Sequence, residues 1–131
     1  MIPGQNMKLL LIDDDPVTNV INTRIIRRHL SLQVIVFTDA FKALDQLKEW
    51  STTRWHEFPD IIFLDINMPQ MDGWDFLNEF QKLPDHVHQK CRIVMLTSSI
   101  DFSDIKRSKT YSSVTDFISK PLTVDKLNTL L

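Results

Sequence analysis

The stretch PDIIFLDINMPQMDG, residues 59–73, contains a short apolar segment that ends in a carboxylate. Residues 61–64 are all apolar, too few for a helix and rich in β-branched types. This pattern predicts a strand that is buried on both faces, as in a parallel sheet. Asp65 follows directly, and the next loop contains Pro69 and Gly73. Because open α/β sheets bind ligands at the carboxyl ends of their strands, we expect Asp65 to lie in a functional site.

The composition indicates one ordinary globular domain over residues 1–131, with its core at about residues 7–131 and no output domain in this chain. A formal net charge of −2 gives no attraction to nucleic acid or membrane. The single cysteine, Cys91, excludes an internal disulfide and a thiolate metal cluster, and it suits a reducing cytosol. Residues 1–6 lack the regions of a signal peptide, and no apolar run reaches the roughly 18 residues that span a bilayer. We therefore expect a cytoplasmic protein.

Short apolar runs and helical spacing alternate along the chain. The runs predict five strands, at residues 8–12, 33–37, 61–65, 92–96 and 114–118. Between and after them, five helices are expected, at residues 16–29, from Asp39 to a loop at 51–59, from Asp72 or Gly73 to before Pro84, at about 103–109, and from Thr123 to Leu131. Asp15, Asp39 and Thr123 are suitable N-caps, and Pro16 suits a first helical position.

Several side chains in these segments receive specific expectations. The apolar residues Val17, Val20 and Ile21 recur at helical spacing in the first helix. In the loop at 51–59, Trp55 and Phe58 are expected to pack against the core. The segment with His86 and His88 is interpreted as a polar loop without a metal site, and Ser99 as a loop residue after the fourth strand.

Five alternating strands and helices imply βαβ units, and hence a doubly wound parallel sheet with helices on both faces. Right-handed crossovers place every strand's carboxyl end on one edge. The residues at those ends are Asp13, Asp14, Asp65, Thr97 and Lys120. We expect these five side chains to lie around one point.

Three carboxylates at one point repel each other, so the predicted site needs a cation. Oxygen ligands without Cys or His nearby favour Mg²⁺ or Mn²⁺ over zinc. Lys120 adds a positive charge and Thr97 a hydroxyl, which together can neutralise a phosphoryl group during its transfer. Asp65 is the central carboxylate, and it is the expected nucleophile that forms an aspartyl phosphate.

Four motifs in order resemble the receiver domain of two-component response regulators, the CheY-like family. They are LLIDDDP at residues 10–16, FLDINMP at 63–69 followed by Asp72-Gly73, LTS at 96–98, and DFISKP at 116–121. The resemblance covers nearly the whole chain. It implies a flavodoxin-like, three-layer (βα)5 sandwich with strand order 2-1-3-4-5.

The resemblance also implies roles for single residues in the predicted site. Asp65 corresponds to the phosphate acceptor, Asp14 to a direct Mg²⁺ ligand, and Asp13 to a ligand through water. Asn67 would give its backbone carbonyl to the metal. The chain would therefore act as a signalling switch that catalyses its own phosphoryl transfer, not as an enzyme with an external product.

A second set of residues would bind the phosphoryl group and report it. Thr97 and Lys120 correspond to residues that bind phosphoryl oxygens, and Ser98 lies beside them. The Lys120–Pro121 bond corresponds to the family's cis X-Pro bond. Phe117 corresponds to an aromatic that turns inward when Thr97 moves toward the phosphate, which shifts the population between two packings.

The implied partners are a sensor histidine kinase or a histidine phosphotransferase, and a downstream protein of unknown identity. The family binds targets on the face of its fourth helix, fifth strand and fifth helix, and the protein would be a monomer or a phosphorylation-dependent dimer. Two features depart from the family: Phe117 replaces a common Tyr, and residues 101–113 predict a short or mobile fourth helix. Arg24, Arg27 and Arg28 lie on the first helix, which in the family helps to dock the phosphodonor.

Two alternatives remain from the sequence. The pair Asp13 and Asp15 after an apolar strand also matches the opening motif of haloacid-dehalogenase-type phosphohydrolases, in which the first Asp is the nucleophile. That hypothesis leaves Asp65 unexplained. A receiver that binds a protein partner without phosphorylation is the third hypothesis.

Overall fold

A computed structural model describes residues 7–29, 33–98 and 100–130 of the chain. Five strands are present, and each predicted strand is confirmed to within one residue at either end. They are β1 (Lys8–Ile12), β2 (Gln33–Phe37), β3 (Ile61–Asp65), β4 (Arg92–Thr97) and β5 (Val114–Ser119). Ser99 and Leu131, which the sequence assigned to a loop and to the last helix, lie outside the described residues.

All neighbouring strands of the sheet run parallel, in the order β2-β1-β3-β4-β5. This order confirms the expected one. Side chains alternate across β1, so that Leu10 and Ile12 enter one core cluster while Leu9 and Leu11 enter the other. The central strands β1 and β3 are therefore buried on both faces, and the residues that follow them are held firmly in place.

Within the described residues, six helices cover the two faces of the sheet. They are α1 (Pro16–His29), α2 (Ala40–Thr53), α3 (Gly73–Phe80), α4 (Asp85–Lys90), α5 (Phe102–Ser108) and α6 (Val124–Leu130). Ile26 of α1 and Leu127 of α6 share one core cluster, whereas Leu47 of α2 and Phe76 of α3 share the other. Across the described ranges, no helix has the length and apolarity to cross a membrane.

Side-chain caps explain where α2 and α3 begin. Asp39 accepts hydrogen bonds from the backbone N–H groups of Phe41 and Lys42, so it is the N-cap of α2 as predicted. Asp72 accepts from the Asp75 N–H while Asp75 accepts from the Asp72 N–H, which completes a capping box before α3. The capping box therefore fixes the point at which the loop after β3 ends and α3 begins.

Helix α4 occupies the segment that the sequence analysis assigned to a polar loop, so that assignment was wrong. The helix has six residues, begins after Pro84 and buries only Val87, which is too little periodicity to recognise. Both histidine rings, His86 and His88, lie within hydrogen-bonding distance of other groups of the protein. His86 Nε2 lies 3.0 Å from the Ser51 carbonyl oxygen, and His88 contacts the Leu83 carbonyl and the Ser113 hydroxyl.

The predicted loop at 51–59 is also more regular than expected. Helix α2 continues to Thr53, and a 3₁₀ turn follows at Trp55–Glu57. Phe58 is fully buried, as predicted. Trp55 is 36% exposed, yet its ring packs against the ring of Phe58 with centroids 5.1 Å apart, so it contacts the core as predicted and also touches the His86 ring.

Helix α1 turns its apolar stripe toward solvent. Val17, Val20 and Ile21 are 66%, 53% and 50% exposed, while Asn19 and Asn22 are buried. The spacing of the apolar residues correctly predicted a helix. Periodicity does not determine which face meets the core, because buried amides are tolerated where they are hydrogen-bonded. The helix thus presents an unusual apolar surface beside the carboxyl edge of the sheet. Because α4 was not expected, the predicted fourth and fifth helices are α5 and α6. Helix α5, with seven residues, is as short as expected.

Candidate functional site

The end of β1 supplies two adjacent carboxylates in different environments. Asp13 is fully buried, and its backbone N–H donates to the Phe37 carbonyl at 3.2 Å. Its Oδ1 accepts the Asp15 N–H at 3.0 Å. Asp14 is exposed at the surface of the same loop. The buried β1 strand and these bonds fix the first carboxylate, and the second faces outward beside it.

The end of β3 supplies Asp65, which is 4% exposed. The Asn67 N–H donates to its Oδ1 at 3.3 Å, and Asn67 itself is exposed. The loop then folds back closely, because the Gly73 N–H donates to the Ile66 carbonyl at 2.8 Å. A Cβ at Gly73 would lie 2.9 Å from the Asp65 carbonyl oxygen, so glycine is required by this approach.

The ends of β4 and β5 bring a hydroxyl and a lysine to the same edge. Thr97 is 2% exposed, and its carbonyl accepts the Lys120 N–H at 2.6 Å. Lys120 Nζ lies 2.7 Å from Asp13 Oδ2 and 3.2 Å from Asp65 Oδ1. The Lys120–Pro121 peptide bond is cis, as the resemblance implied.

Ser98 and Phe117, the two remaining residues of the predicted set, differ in their burial. Ser98 is exposed at the end of β4. Phe117 is half-buried on β5 and packs against the core cluster that contains Met95 and Tyr111. It lies two residues before the carboxyl end of β5.

A lysine of α6 holds the backbone around Lys120. Lys126 Nζ donates to the Ser119 carbonyl at 2.7 Å and to the Pro121 carbonyl at 2.9 Å. These two bonds lie on either side of Lys120 in the chain. Helix α6 thus fixes the loop from which the Lys120 side chain reaches the carboxylates.

The electrostatics of the site are dominated by burial. Burial raises the pKa of Asp65 to about 6; the charge of Asp13 adds to this, and the charge of Lys120 acts against it. For Lys120, burial lowers the pKa. The hydrogen bond to Asp13 and the charges of Asp65 and Asp13 outweigh it, and the pKa of Lys120 is raised. The lysine therefore stays positively charged, while Asp65 is held in a region that disfavours its anion.

The three carboxylates are close enough to share one cation. One oxygen from each of Asp13, Asp14 and Asp65 lies within 4.8 Å of the others. All three donors are hard oxygens, and they carry three potential negative charges against the single charge of Lys120. The donor set therefore fits Mg²⁺ or Mn²⁺.

Asp15 points to the helix that follows it, away from the carboxylate group. It accepts hydrogen bonds from the Thr18 hydroxyl at 2.7 Å and from the Val17 N–H at 3.0 Å. These bonds, with the hydroxyl bond as the larger cause, lower the pKa of Asp15. Asp15 is thus the N-cap that the sequence predicted, and this orientation does not suit the acid/base role of the hydrolase hypothesis.

Sequence reasoning missed two residues that hold the site together. Asn19 Nδ2 donates to the Asp13 carbonyl at 2.8 Å, and Lys126 supports the Lys120 loop. The signal for Asn19 was a polar residue three positions from a second one, Asn22, on one helix face. Nothing in the sequence indicated Lys126, because its bonds go to backbone atoms that any residue would offer.

The family comparison agrees with the fold and with the placement of the charged groups. The profile described as "Response regulator receiver domain" matches residues 9–131. The chain therefore belongs to the response regulator receiver domain family.

Individual relatives are consistent with that assignment. A two component response regulator from Cytophaga hutchinsonii has a similar solved structure, with TM-score 0.86, 33% identity, and coverage of 95% of this chain and 92% of that one. The probable C4-dicarboxylate response regulator DctR of Halalkalibacterium halodurans is 33% identical over 95% of this chain and 50% of its own.

A third relative has a different architecture. The osmosensing histidine protein kinase SLN1 of Saccharomyces cerevisiae is 32% identical over 96% of this chain and 10% of its own length. The chain spans only 29%, 10% and 30% of the first three curated relatives. Receiver domains thus occur within much larger proteins of several kinds.

Proposed function

We propose that the protein is a phosphorylation switch in which Asp65 accepts a phosphoryl group from a histidine kinase or a histidine phosphotransferase. The observation that carries the proposal is the position of the Asp65 carboxylate. It lies within 4.8 Å of Asp13 and Asp14 and 3.2 Å from Lys120 Nζ. A carboxylate nucleophile with a cation site on one side and a fixed ammonium on the other suits phosphoryl transfer.

The proposed metal ligands are the three carboxylates and the Asn67 backbone carbonyl, with Asp13 acting through water. Asn67 is exposed, and the hydrogen bond from its N–H to Asp65 Oδ1 holds the residue beside the site. When bound, Mg²⁺ supplies the charge that the phosphoryl oxygens and the carboxylates require together.

In the proposed reaction an Asp65 oxygen attacks the phosphorus of the donor's phosphohistidine. The new P–O bond forms as the P–N bond breaks, and the imidazole leaves with the electrons of that bond and takes a proton from solvent. Lys120 holds the phosphoryl oxygens from the side of β5. Its raised pKa keeps the ammonium charged throughout.

Readout is proposed to begin at Thr97 and Ser98. Thr97 is buried beside Asp65 on the neighbouring strand and would turn its hydroxyl to a phosphoryl oxygen. Phe117, half-buried on β5, would then move inward and change the face formed by α5, β5 and α6. This change is a shift between two packings, and it would alter binding of a downstream protein.

Helix α1 is the proposed docking surface for the phosphodonor. Its exposed apolar side chains include Val17, Val20 and Ile21, and its second half carries Arg24 and Arg27. Residues 16–29 contain no acidic side chain. A contiguous apolar stripe with a basic end, directly after the acidic β1 loop, suits a partner helix that presents apolar and acidic residues.

The central test is labelling with acetyl phosphate in the presence of Mg²⁺, followed by intact mass measurement. The wild-type protein should gain one phosphoryl group, Asp65→Asn should gain none, and chelation of Mg²⁺ should stop the reaction. The matched control is Asp45→Asn, an exposed aspartate of α2, which should be labelled like the wild type.

Other outcomes of the same experiment would identify the alternatives. Equal labelling of Asp65→Asn would contradict the proposal. Steady release of phosphate from a monoester, lost in Asp13→Asn, would favour the hydrolase. A wild-type protein that binds a partner and is never labelled would be a phosphorylation-independent binding module.

The docking surface has its own prediction. Val20→Glu should slow phosphoryl transfer from a phosphorylated histidine phosphotransferase domain by about tenfold or more, because a carboxylate would be buried at the contact. Labelling by acetyl phosphate, which needs no docking, should be unchanged. Equal slowing with both donors would place Val20 in the site itself and would contradict the docking role.

A further inference from the structure

Helix α1 buries two asparagines where an apolar face would be expected. Asn19 is 4% exposed and Asn22 is 2% exposed, and the third buried residue of the helix is Ile26. A buried amide destabilises the fold unless it is hydrogen-bonded, and most buried polar groups therefore have partners. The bonds of these two side chains show what they do.

One half of the Asn19 amide holds the backbone of the acidic loop. Asn19 Nδ2 donates to the Asp13 carbonyl at 2.8 Å, in a buried position. That carbonyl belongs to the peptide that joins Asp13 to Asp14. The peptide plane sets the direction in which the Asp14 side chain leaves the chain. Rotation of this plane would break the bond, so Asn19 controls the direction of Asp14.

In the part of the chain that the structure describes, the oxygen of the Asn19 amide, Oδ1, lacks a hydrogen-bond donor, and the amide nitrogen of Asn22 on the same helix, Nδ2, lacks an acceptor. Residues three apart on a helix are neighbours, with Cβ atoms about 5–6 Å apart. The two unfilled groups are thus complementary, and a small rotation or one buried water would be needed to join them.

We propose that Asn22 and Asn19 form an amide relay that positions the acidic loop for metal binding. Asn22 donates to Asn19 Oδ1, which fixes the orientation of the Asn19 amide so that its Nδ2 meets the Asp13 carbonyl. Both asparagines are positioning residues, since neither touches the cation or the phosphoryl group. The inference rests on the proposed function only in that Asp13 and Asp14 are taken as metal ligands.

The relay is tested with Asn19→Leu and Asn22→Leu, because leucine keeps the branched shape and removes the polar atoms. The control is Ile26→Val on the same buried face, which removes one methyl group and leaves both amides. Two quantities are measured: the ¹³C chemical shift of the Asp13 carbonyl in metal-free protein, and the dissociation constant for Mg²⁺ by calorimetry.

Both leucine variants should move the Asp13 carbonyl resonance. Asn19→Leu should raise the dissociation constant for Mg²⁺ about tenfold, the low end for loss of a residue that orients metal ligands, and Asn22→Leu should raise it by less. Ile26→Val should change neither quantity. The denaturant midpoint of Asn22→Leu should fall, because loss of the donor leaves Asn19 Oδ1 buried without a partner.

Other outcomes would contradict the relay or the proposed function. If the leucine variants change only the denaturant midpoint, and leave the carbonyl shift and the Mg²⁺ affinity as in the wild type, the amides are structural and the relay is wrong. A wild-type protein that does not bind Mg²⁺ contradicts the proposed function instead, and the carbonyl shift alone then decides the relay. Should Asn19→Leu not fold, Asn22→Leu decides, since it keeps the Asn19 side chain and removes only the donor that orients it.

Discussion

The two edges of the sheet hold the same kinds of charged residue in different arrangements. At the amino edge, Lys8 Nζ lies 3.3 Å from Glu57 Oε2, and Lys90 Nζ lies 3.9 Å from Asp60 Oδ1. Each carboxylate there faces one lysine. The four side chains are between 20% and 34% exposed, so water screens the remaining electrostatic interactions of these charges.

At the carboxyl edge, one lysine faces three carboxylates. Lys120 lies 2.7 Å from Asp13 and 3.2 Å from Asp65, whose side chains are 0% and 5% exposed, and Asp14 lies close by. Water reaches little of the charge on Asp13 and Asp65, whereas Asp14 is exposed. Because the carboxylates outnumber the lysine in a buried place, the metal-free fold is destabilised at this edge.

The difference separates a structural edge from a functional one. At the amino edge each of these carboxylates is already paired with a lysine, so we expect these charges to add little to stability. The carboxyl edge becomes electrically complete only with added positive charge. In the proposed function, a cation and then a phosphoryl group would bind at that edge and change the forces on Lys120 and Thr97, which lie at the ends of β5 and β4.

Removal of the lysine at each edge should give the largest contrast. Lys120→Met leaves Asp13 and Asp65 buried without a counter-charge. It should lower the free energy of unfolding of metal-free protein by about 3–5 kcal/mol, the usual loss when a buried pair is broken. Lys8→Met should lower it by less than about 1 kcal/mol, because that pair is partly hydrated. Urea denaturation with a chelator present measures both.

The same pair of variants also tests the role of the metal. Excess Mg²⁺ should recover part of the stability lost in Lys120→Met, since the cation substitutes for the missing charge, and should add nothing specific to Lys8→Met beyond the wild-type gain. Equal losses in the two variants would show that the edges do not differ electrostatically, and the comparison would fail.

Neutralisation of Asp65 should give the next largest effect, in the stabilising direction. The pKa of the buried Asp65 carboxyl is about 6, against 3.8 for the exposed group. A shift of this size corresponds to about 2–3 kcal/mol that the anion costs the fold. Asp65→Asn should therefore raise the free energy of unfolding of metal-free protein by about that amount at pH 7.5.

The pH dependence follows from the direction of the shift. Between about pH 4 and pH 6, the native state binds more protons at Asp65 than the unfolded state, so wild-type stability falls as pH rises through this window. The advantage of Asp65→Asn should thus be full above pH 6 and absent below pH 4. A variant that is less stable than the wild type at pH 7.5 would contradict the burial of charge.

The sequence predicted the carboxyl edge well because each of its residues follows directly from a strand. An apolar run that ends in Asp65, and others that end at Asp13 or Thr97, specify both the strand and the position of its last side chain. Parallel topology then gathers those ends. Only the alternation of strands and helices was needed to expect Lys120 beside Asp65.

Features that depend on contacts between elements were not predictable in this way. The outward face of α1 accompanies the burial of Asn19 and Asn22, and Asn19 donates to the backbone of another segment. Helix α4 was missed because one buried residue, Val87, gives no period. Trp55 contacts the core as expected, but its exposed side and its contact with His86 of α4 were not predicted. Side-chain type alone does not fix either outcome.

The smallest effect is expected from the matching neutral change at the amino edge, Asp60→Asn. The Asp60 Oδ2 atom accepts the Lys8 N–H at 2.9 Å, and an asparagine oxygen can accept the same bond. Only the long contact with Lys90 is lost, and pairs that are so exposed contribute about 0–1 kcal/mol. The free energy of unfolding should fall by less than about 1 kcal/mol.

Stability in the presence of Mg²⁺ separates this variant from Asp65→Asn. Asp60→Asn should gain as much stability from Mg²⁺ as the wild type does, because its edge of the sheet contributes no ligand, and it should be labelled normally by acetyl phosphate. Asp65→Asn should lose most of the Mg²⁺ gain along with the labelling. If Asp60→Asn also weakened the response to Mg²⁺, charge at the amino edge would be acting across the whole sheet. The two edges would then have to be treated as one electrostatic unit.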